Sequence, residues 1–164
     1  YRSQFGVSAA TVRISWVYGP PLVPRIRDNP RGPIPHFLRC VLSGEPVHEA
    51  SGGDFAASYT HVADVAAGLL AAADARELKH ATYHLGSGCN YPTQAVVAAV
   101  KAAVPGAVIE VGPGTAPYTD HTRMRGPLAG SRLREDADFA PRLDLEQGVA
   151  AFADWMRANR ERWQ

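Results

Sequence analysis

Two groups of residues in this sequence have the types and spacing to hold a small ligand. The first is the run Trp16-Val17-Tyr18-Gly19-Pro20, in which two aromatic rings are followed by glycine and then by Pro20 and Pro21. The imino acids lack a backbone donor and must stop a strand there. In open α/β sheets ligands sit just beyond such strand ends, so Trp16 to Pro20 is where a ligand is expected. The second group is the arginines of two Pro- and Gly-rich loops. Arg25, Arg27 and Arg31 lie in 20–33; Arg123 and Arg125 lie in 112–130, beside Tyr118, Asp120 and His121. A guanidinium matches a carboxylate or phosphate with its planar fork, although loop arginines also serve simply as solvated surface.

Other chemistries lack their residues. The six histidines are scattered and no cysteine cluster occurs, so no metal site is expected. No G-x-S-x-G elbow is present. A net charge of +1 gives no pull toward nucleic acid or anionic membranes, and no apolar run approaches the roughly 18 residues of a membrane span. Cys40 and Cys89 read as free, buried thiols in a reducing, cytoplasmic setting.

The 164 residues, 46% of them hydrophobic, are enough for one ordinary core. A helix end is expected up to Gly6, then a strand over Ala10 to Val17 with apolar residues on both faces, suited to a covered parallel sheet. Ile34, Phe37, Leu38, Val41 and Leu42 recur at helical spacing, with His36 at the surface or as a cap, until Gly44. Short strands follow over 45–50 and 57–62. A helix over 63–75 would bury Val62, Val65, Ala66, Leu69, Leu70 and Ala73. His61 reads as a hydrogen-bonded structural residue, and Asp64 favours the helix N-terminus. A second main strand, 81–85, runs into Gly86-Ser87-Gly88. Thr93 caps a helix to Val104, and 107–111 is a short strand. Asp144 and Gln147 form a capping-box pattern before the last helix, which buries Val149, Phe152, Ala153 and Met156.

Four stretches carry a family resemblance. Gly6-Val7, Arg13 and Val17-Tyr18-Gly19-Pro20 resemble the strand and loop after the catalytic helix of the NAD-dependent epimerase/dehydratase family, the extended short-chain dehydrogenases/reductases. Ser58-Tyr59-Thr60-His61-Val62-Ala63-Asp64-Val65-Ala66 resembles its "RDY-hydrophobic-HV-x-DVA" segment. Tyr83-His84-Leu85-Gly86-Ser87-Gly88 resembles its "Y-N-hydrophobic-GSG" strand end. Leu145-Glu146-Gln147-Gly148 with Trp155 resembles its closing "L-E-E-G … W" helix. The order and spacing match over nearly the whole chain.

The resemblance implies an α/β chain that forms the C-terminal part of a Rossmann-like extended fold, including the small substrate-binding subdomain. The family's glycine-rich dinucleotide loop and its Tyr-x-x-x-Lys pair have no match in residues 1–164. No catalytic residue is therefore assigned here, and the dinucleotide-binding half is expected upstream or from a partner copy. The resemblance further implies NAD or NADP in the complete enzyme and hydride transfer at a carbon of a sugar-like substrate. Ile14 and Ser15 would form the wall beside the nicotinamide. Trp16, Tyr18, Gly19, Phe37 and Tyr59 would meet substrate, joined by Arg25 and Arg123 from the loops. Nucleotide-sugar members usually have Asn at Trp16 and Arg at Ala57, so a sugar, sugar acid or other hydroxy-carbonyl compound is the expected substrate. The alternative is a relative that has lost catalysis and serves as a binding or regulatory module. Strands 10–17 and 81–86 would in either case leave a sheet edge for a neighbour.

Overall fold

The computed structural model describes residues 2–23, 32–120 and 122–164. Arg25, Arg27 and Arg31 lie outside the described residues, as do Tyr1 and His121.

A short helix, α1 (Arg2–Phe5), ends at Gly6, whose φ of 64° lies in the left-handed region. The expected strand then forms in two pieces, β1 (Thr11–Ile14) and β2 (Trp16–Tyr18). The break has a hydrogen-bond cause. The Ser15 N–H donates to the Leu85 carbonyl, and the Trp16 N–H donates to the Ser58 carbonyl. The chain thus changes partners between these two residues. β1 runs parallel to β6 (Thr82–Leu85), with Thr11 opposite Thr82 and Ile14 opposite Leu85. β2 runs parallel to β5 (Tyr59–His61), with Trp16 opposite Tyr59. The expected strand over 57–62 is likewise split, into β4 (Ala56–Ala57) and β5, because the Ser58 carbonyl turns to Trp16. β4 pairs antiparallel with β7 (Tyr91–Pro92). β3 (Val47–Glu49) and β8 (Ile109–Val111) form a further parallel pair.

Helices fill the space between these pairs. α2 (Pro33–Leu42), α4 (Thr93–Ala103) and α6 (Leu145–Ala158) surround the larger core, which includes Tyr18, Phe37, Tyr59, Val100, Phe152 and Met156. α3 (Val62–Asp74) and α5 (Ser131–Ala137) back β6 around Val65, Tyr83, Leu85, Leu133 and Phe139. α6 starts at the expected capping box: the Gln147 N–H donates to Asp144 Oδ1 and the Asp144 N–H donates to Gln147 Oε1. Among the described residues no helix is long and apolar enough to cross a membrane.

Several expectations need correction. β1 is largely exposed, with Ile14 38% accessible, because among the described residues β6 is its sole strand partner. α3 buries the face of Asp64, Val65, Gly68 and Ala72, so Leu69 (42%) and Leu70 (65%) point outward with Ala66 and Ala73. The small residues face the sheet because Leu85 and Phe139 already fill that space against Gly68. Thr93 is not the cap of α4. Pro92 holds that position, and the Thr93 hydroxyl donates to the carbonyls of Gly52 and Phe55. Cys40 is buried as expected, but Cys89 is exposed. α5 falls between the 112–130 loop and Asp144, a stretch to which the sequence assigns no element. His36 is neither cap nor surface residue: its Nε2 lies 2.7 Å from Glu49 Oε1 and ties α2 to β3.

Two outcomes test this packing. The Tyr18 hydroxyl rests directly on Gly148 in α6, where a Cβ would collide with it. Helix propensity favours alanine in a helix interior, yet Gly148→Ala is expected to lower stability by about 1–3 kcal/mol in urea denaturation, because overpacking outweighs propensity. The Cys40 thiol beside Nδ1 and the Glu49 carboxylate on Nε2 hold the His36 pKa above its usual 6.5, against burial, which lowers it. A raised value in the folded state means stability that is complete below the unfolded pKa and lost as pH rises through the folded one. The urea midpoint is expected to fall as pH rises through and above the ordinary histidine range, with a shallower fall in Glu49→Gln.

Candidate functional site

The change of partner at Ser15 creates the site. Where β1 ends and β2 leaves for β5, the diverging strands open a cavity of about 240 Å³. Its floor is Ile14, Ser15 and Trp16 together with Phe55 to Ser58; its roof is the segment Thr122 to Gly126 with Leu128. Ile14, Ser15, Trp16 and Arg123, four of the residues singled out from the sequence, therefore share one cavity. Arg125 and Phe55 join them.

Each wall has an identifiable support. The Trp16 ring is half-buried, tilted 49° against Phe55 at 5.2 Å and edge-on to Tyr59 at 6.2 Å. Gly32 permits the close approach of the Trp16 ring, since a Cβ there would lie 2.8 Å from it. The Ser15 hydroxyl is 2.6 Å from that of Thr60, which is itself buried. Ser58 Oγ sits 3.3 Å from where a Cβ on Gly86 would stand, so the glycine of the third motif lets β6 close on the second.

The remaining expected residues lie elsewhere. Tyr18 and Phe37 are buried in the larger core and do not line the cavity. Tyr59 is buried behind Trp16, and its hydroxyl has no hydrogen-bond partner among the described residues. Gly19, at φ 112°, packs against His61 at a distance that excludes a side chain. Arg25 is outside the described residues. Burial drives the phenol pKa values of Tyr18, Tyr59 and Tyr118 well above the usual value. That is the wrong direction for a tyrosinate base.

The second motif is structural. His61 caps α3: its Nδ1 accepts from the Ala63 N–H, which leaves any ring proton on Nε2. Burial lowers its pKa, against the raising influence of Asp64. Asp64 accepts the backbone N–H groups of Arg142 and Leu143 at 3.1 and 3.0 Å, holding the segment that leads into α6.

A larger cavity of about 450 Å³ lies between the end of β6, α5 and residues 139–144. It contains Arg134 and Arg142 but none of the residues expected to meet cofactor or substrate. The smaller cavity is the better candidate, because it lies at the carboxyl end of β1 and gathers aromatic, hydroxyl and guanidinium groups on one space. The sequence carried a signal for Arg125, one of the loop arginines. Phe55 carried none, since its place under Trp16 depends on the fold.

The model of the NAD dependent epimerase/dehydratase family matches residues 1–86, just over half of the chain. The chain belongs to this family. Among curated proteins it is similar to dTDP-glucose 4,6-dehydratases from Actinoplanes sp. (28% identity over 163 residues, 99% of this chain and 48% of the relative) and Streptomyces griseus (27%, 97% and 46%). The chain thus spans about half the length of the curated relatives it matches. Its fold is that of part of an extended short-chain dehydrogenase/reductase. It superposes on a dTDP-glucose 4,6-dehydratase from Bacillus anthracis in complex with NAD (TM-score 0.77, 21% identity), covering 99% of this chain and 49% of that one. An epimerase from Methanothermobacter thermautotrophicus gives a TM-score of 0.79 at 21% identity, with 98% and 46% covered. UDP-glucose 4-epimerase from Thermotoga maritima with UDP-glucose gives 0.76 at 19%, with 97% and 49%.

The two bonds to Asp64 set a testable expectation. Asp64→Asn keeps the shape but can accept only one of the two bonds, since its amide NH2 is a donor that faces the other N–H. It is expected to cost about 1–3 kcal/mol in urea denaturation.

Proposed function

We propose that this chain supplies the substrate-binding half of an NAD(P)-dependent enzyme that acts on a sugar or sugar acid by hydride transfer, as an epimerase, dehydratase or dehydrogenase. The observation that carries the reading is the convergence of Ile14, Ser15, Trp16 and Arg123 on one cavity beyond the end of β1. Membership of the family, and the sugar-nucleotide enzymes among its relatives, support the class of chemistry.

The residues present fit part of a nicotinamide cofactor. An exposed Ile14 side chain beside the Ser15 hydroxyl offers an apolar wall with one polar group, as one side of a flat ring needs. The phosphates find no glycine-rich loop in these 164 residues, so another segment or chain would hold them. When bound, the cofactor supplies a hydride acceptor or donor. Thr60 fixes the Ser15 hydroxyl by their mutual hydrogen bond. Trp16, braced by Phe55 and Tyr59, presents an aromatic surface to a sugar ring. Arg123 pairs with an anionic group. Holding the ring in register is an orientation effect worth several kcal/mol in the rate.

The uncovered surface supports the same division of labour. β1 has β6 as its sole strand partner among the described residues, and Ile14, Leu69 and Leu70 are exposed. A sheet edge and apolar side chains of this kind fit a neighbouring half-domain.

Trp16 and Ala57 stand where nucleotide-sugar members carry polar groups, which favours a substrate smaller or less anionic than a nucleotide sugar. The test is titration of the intact enzyme, with its cofactor, by glucose, glucuronate and UDP-glucose, read from tryptophan fluorescence with Trp16→Phe as control. A response to glucuronate or glucose that Trp16→Phe abolishes is expected. Tight binding of UDP-glucose with no response to either free sugar would overturn the substrate assignment.

A further inference from the structure

The roof of the cavity is joined to its floor by a side chain that the reading above does not use. Asn90 immediately precedes β7, whose Tyr91 pairs with Ala57 on the floor. Its Nδ2 donates to the Arg125 carbonyl at 2.7 Å. The orientation of the amide follows from that contact, because the reverse would set two oxygens against each other. Its Oδ1 is buried and finds no donor among the described residues, so the bond to Arg125 is what aims the side chain.

The segment held in this way carries both guanidinium groups of the cavity, Arg123 and Arg125. It is otherwise a surface segment: Arg123, Met124, Arg125 and Gly126 are all exposed. At its far end Leu128 packs on Gly86, with its Cβ 3.1 Å from a Cβ built there. One hydrogen bond and one close backbone contact thus anchor the segment to the strand ends below. A long charged side chain loses geometric precision when the backbone beneath it wanders, and an oxyanion rewards precision through paired hydrogen bonds.

We propose that Asn90 is a positioning residue for anion recognition: by holding the Arg125 carbonyl it sets the Arg123–Arg125 segment over Trp16, and so determines how strongly the site prefers an anionic sugar to a neutral one. This rests on the reading of the cavity as a sugar site. The anion is an oxyanion attached to the sugar: the carboxylate of a sugar acid is the one Trp16 and Ala57 favour, and the diphosphate of a nucleotide sugar is the contrasting arm of the test.

The experiment compares the intact enzyme, with its cofactor, with its Asn90→Asp variant, which keeps the size but faces the carbonyl with an acceptor, and its Asn90→Ala variant, which removes the tether without adding charge. Glucose, glucuronate and UDP-glucose are titrated against each. The expected result is about tenfold weaker binding of at least one anionic probe in both variants, with glucose changed less than about twofold. Tryptic cleavage after Arg123 and Arg125 is expected to quicken. The probe that loses affinity identifies the anion as carboxylate or diphosphate. Equal weakening of glucose and the anions, which a purely structural role would produce, overturns the proposal, as does unchanged binding of all three. If the unmodified enzyme binds none of the probes, the sugar reading itself fails and this inference with it; if it binds them and the variants keep its anion-to-neutral ratio, only the inference fails.

Discussion

Close backbone approach at positions without a side chain is the constraint on which this structure depends. Gly148 of the last helix receives the Tyr18 hydroxyl, Gly19 receives His61, Gly68 receives Leu85, and Gly86 admits Ser58 and Leu128. The Gly148–Tyr18, Gly19–His61 and Gly86–Ser58 pairs each join two of the four stretches that carry the family resemblance. The motifs are thus the contact surfaces of one assembly. A Cβ at any of these points would push two elements apart and move Trp16 relative to the cavity it borders.

The site follows from a second constraint, the division of one extended segment between two partners. A strand that stayed with β6 throughout would present a continuous edge and no opening. Because Ser15 is the last residue to bond toward β6 and Trp16 the first to bond toward β5, the sheet parts between them. Residues on either side of the parting, Ile14 and Trp16, become walls of the same space. An opening beyond the carboxyl ends of parallel strands, the usual place for a ligand in open α/β sheets, is here produced by two backbone hydrogen bonds pointing to different neighbours.

Much of this was legible in the chain. Helical spacing located α2, α4 and α6, and the Asp144–Gln147 pair marked the start of α6 to the residue. Trp16 and Arg123, singled out from residue type and loop setting, line the same cavity. Tyr18, Phe37 and Tyr59 were not distinguishable from them, since an aromatic residue near a strand end serves equally as pocket wall or as core, and only the position of α6 decides. The outward turn of Leu69 and Leu70 was hidden for a related reason. An alanine-rich helix has no single apolar stripe, and its inward face was chosen by the space left beside Leu85 and Phe139. α5 is too short for periodicity to reveal. Its place is secured by long-range bonds from Tyr83 and the Lys79 N–H to Asp136.

The meeting of Tyr18 with Gly148 has a consequence for biosynthesis. The ring that ends β2 cannot be covered until α6 has left the ribosome, since α6 provides the surface it rests on. The Tyr18 end of the aromatic cluster therefore stays open until α6 docks. Contacts of such long sequence separation close slowly, and the interval invites chaperone capture.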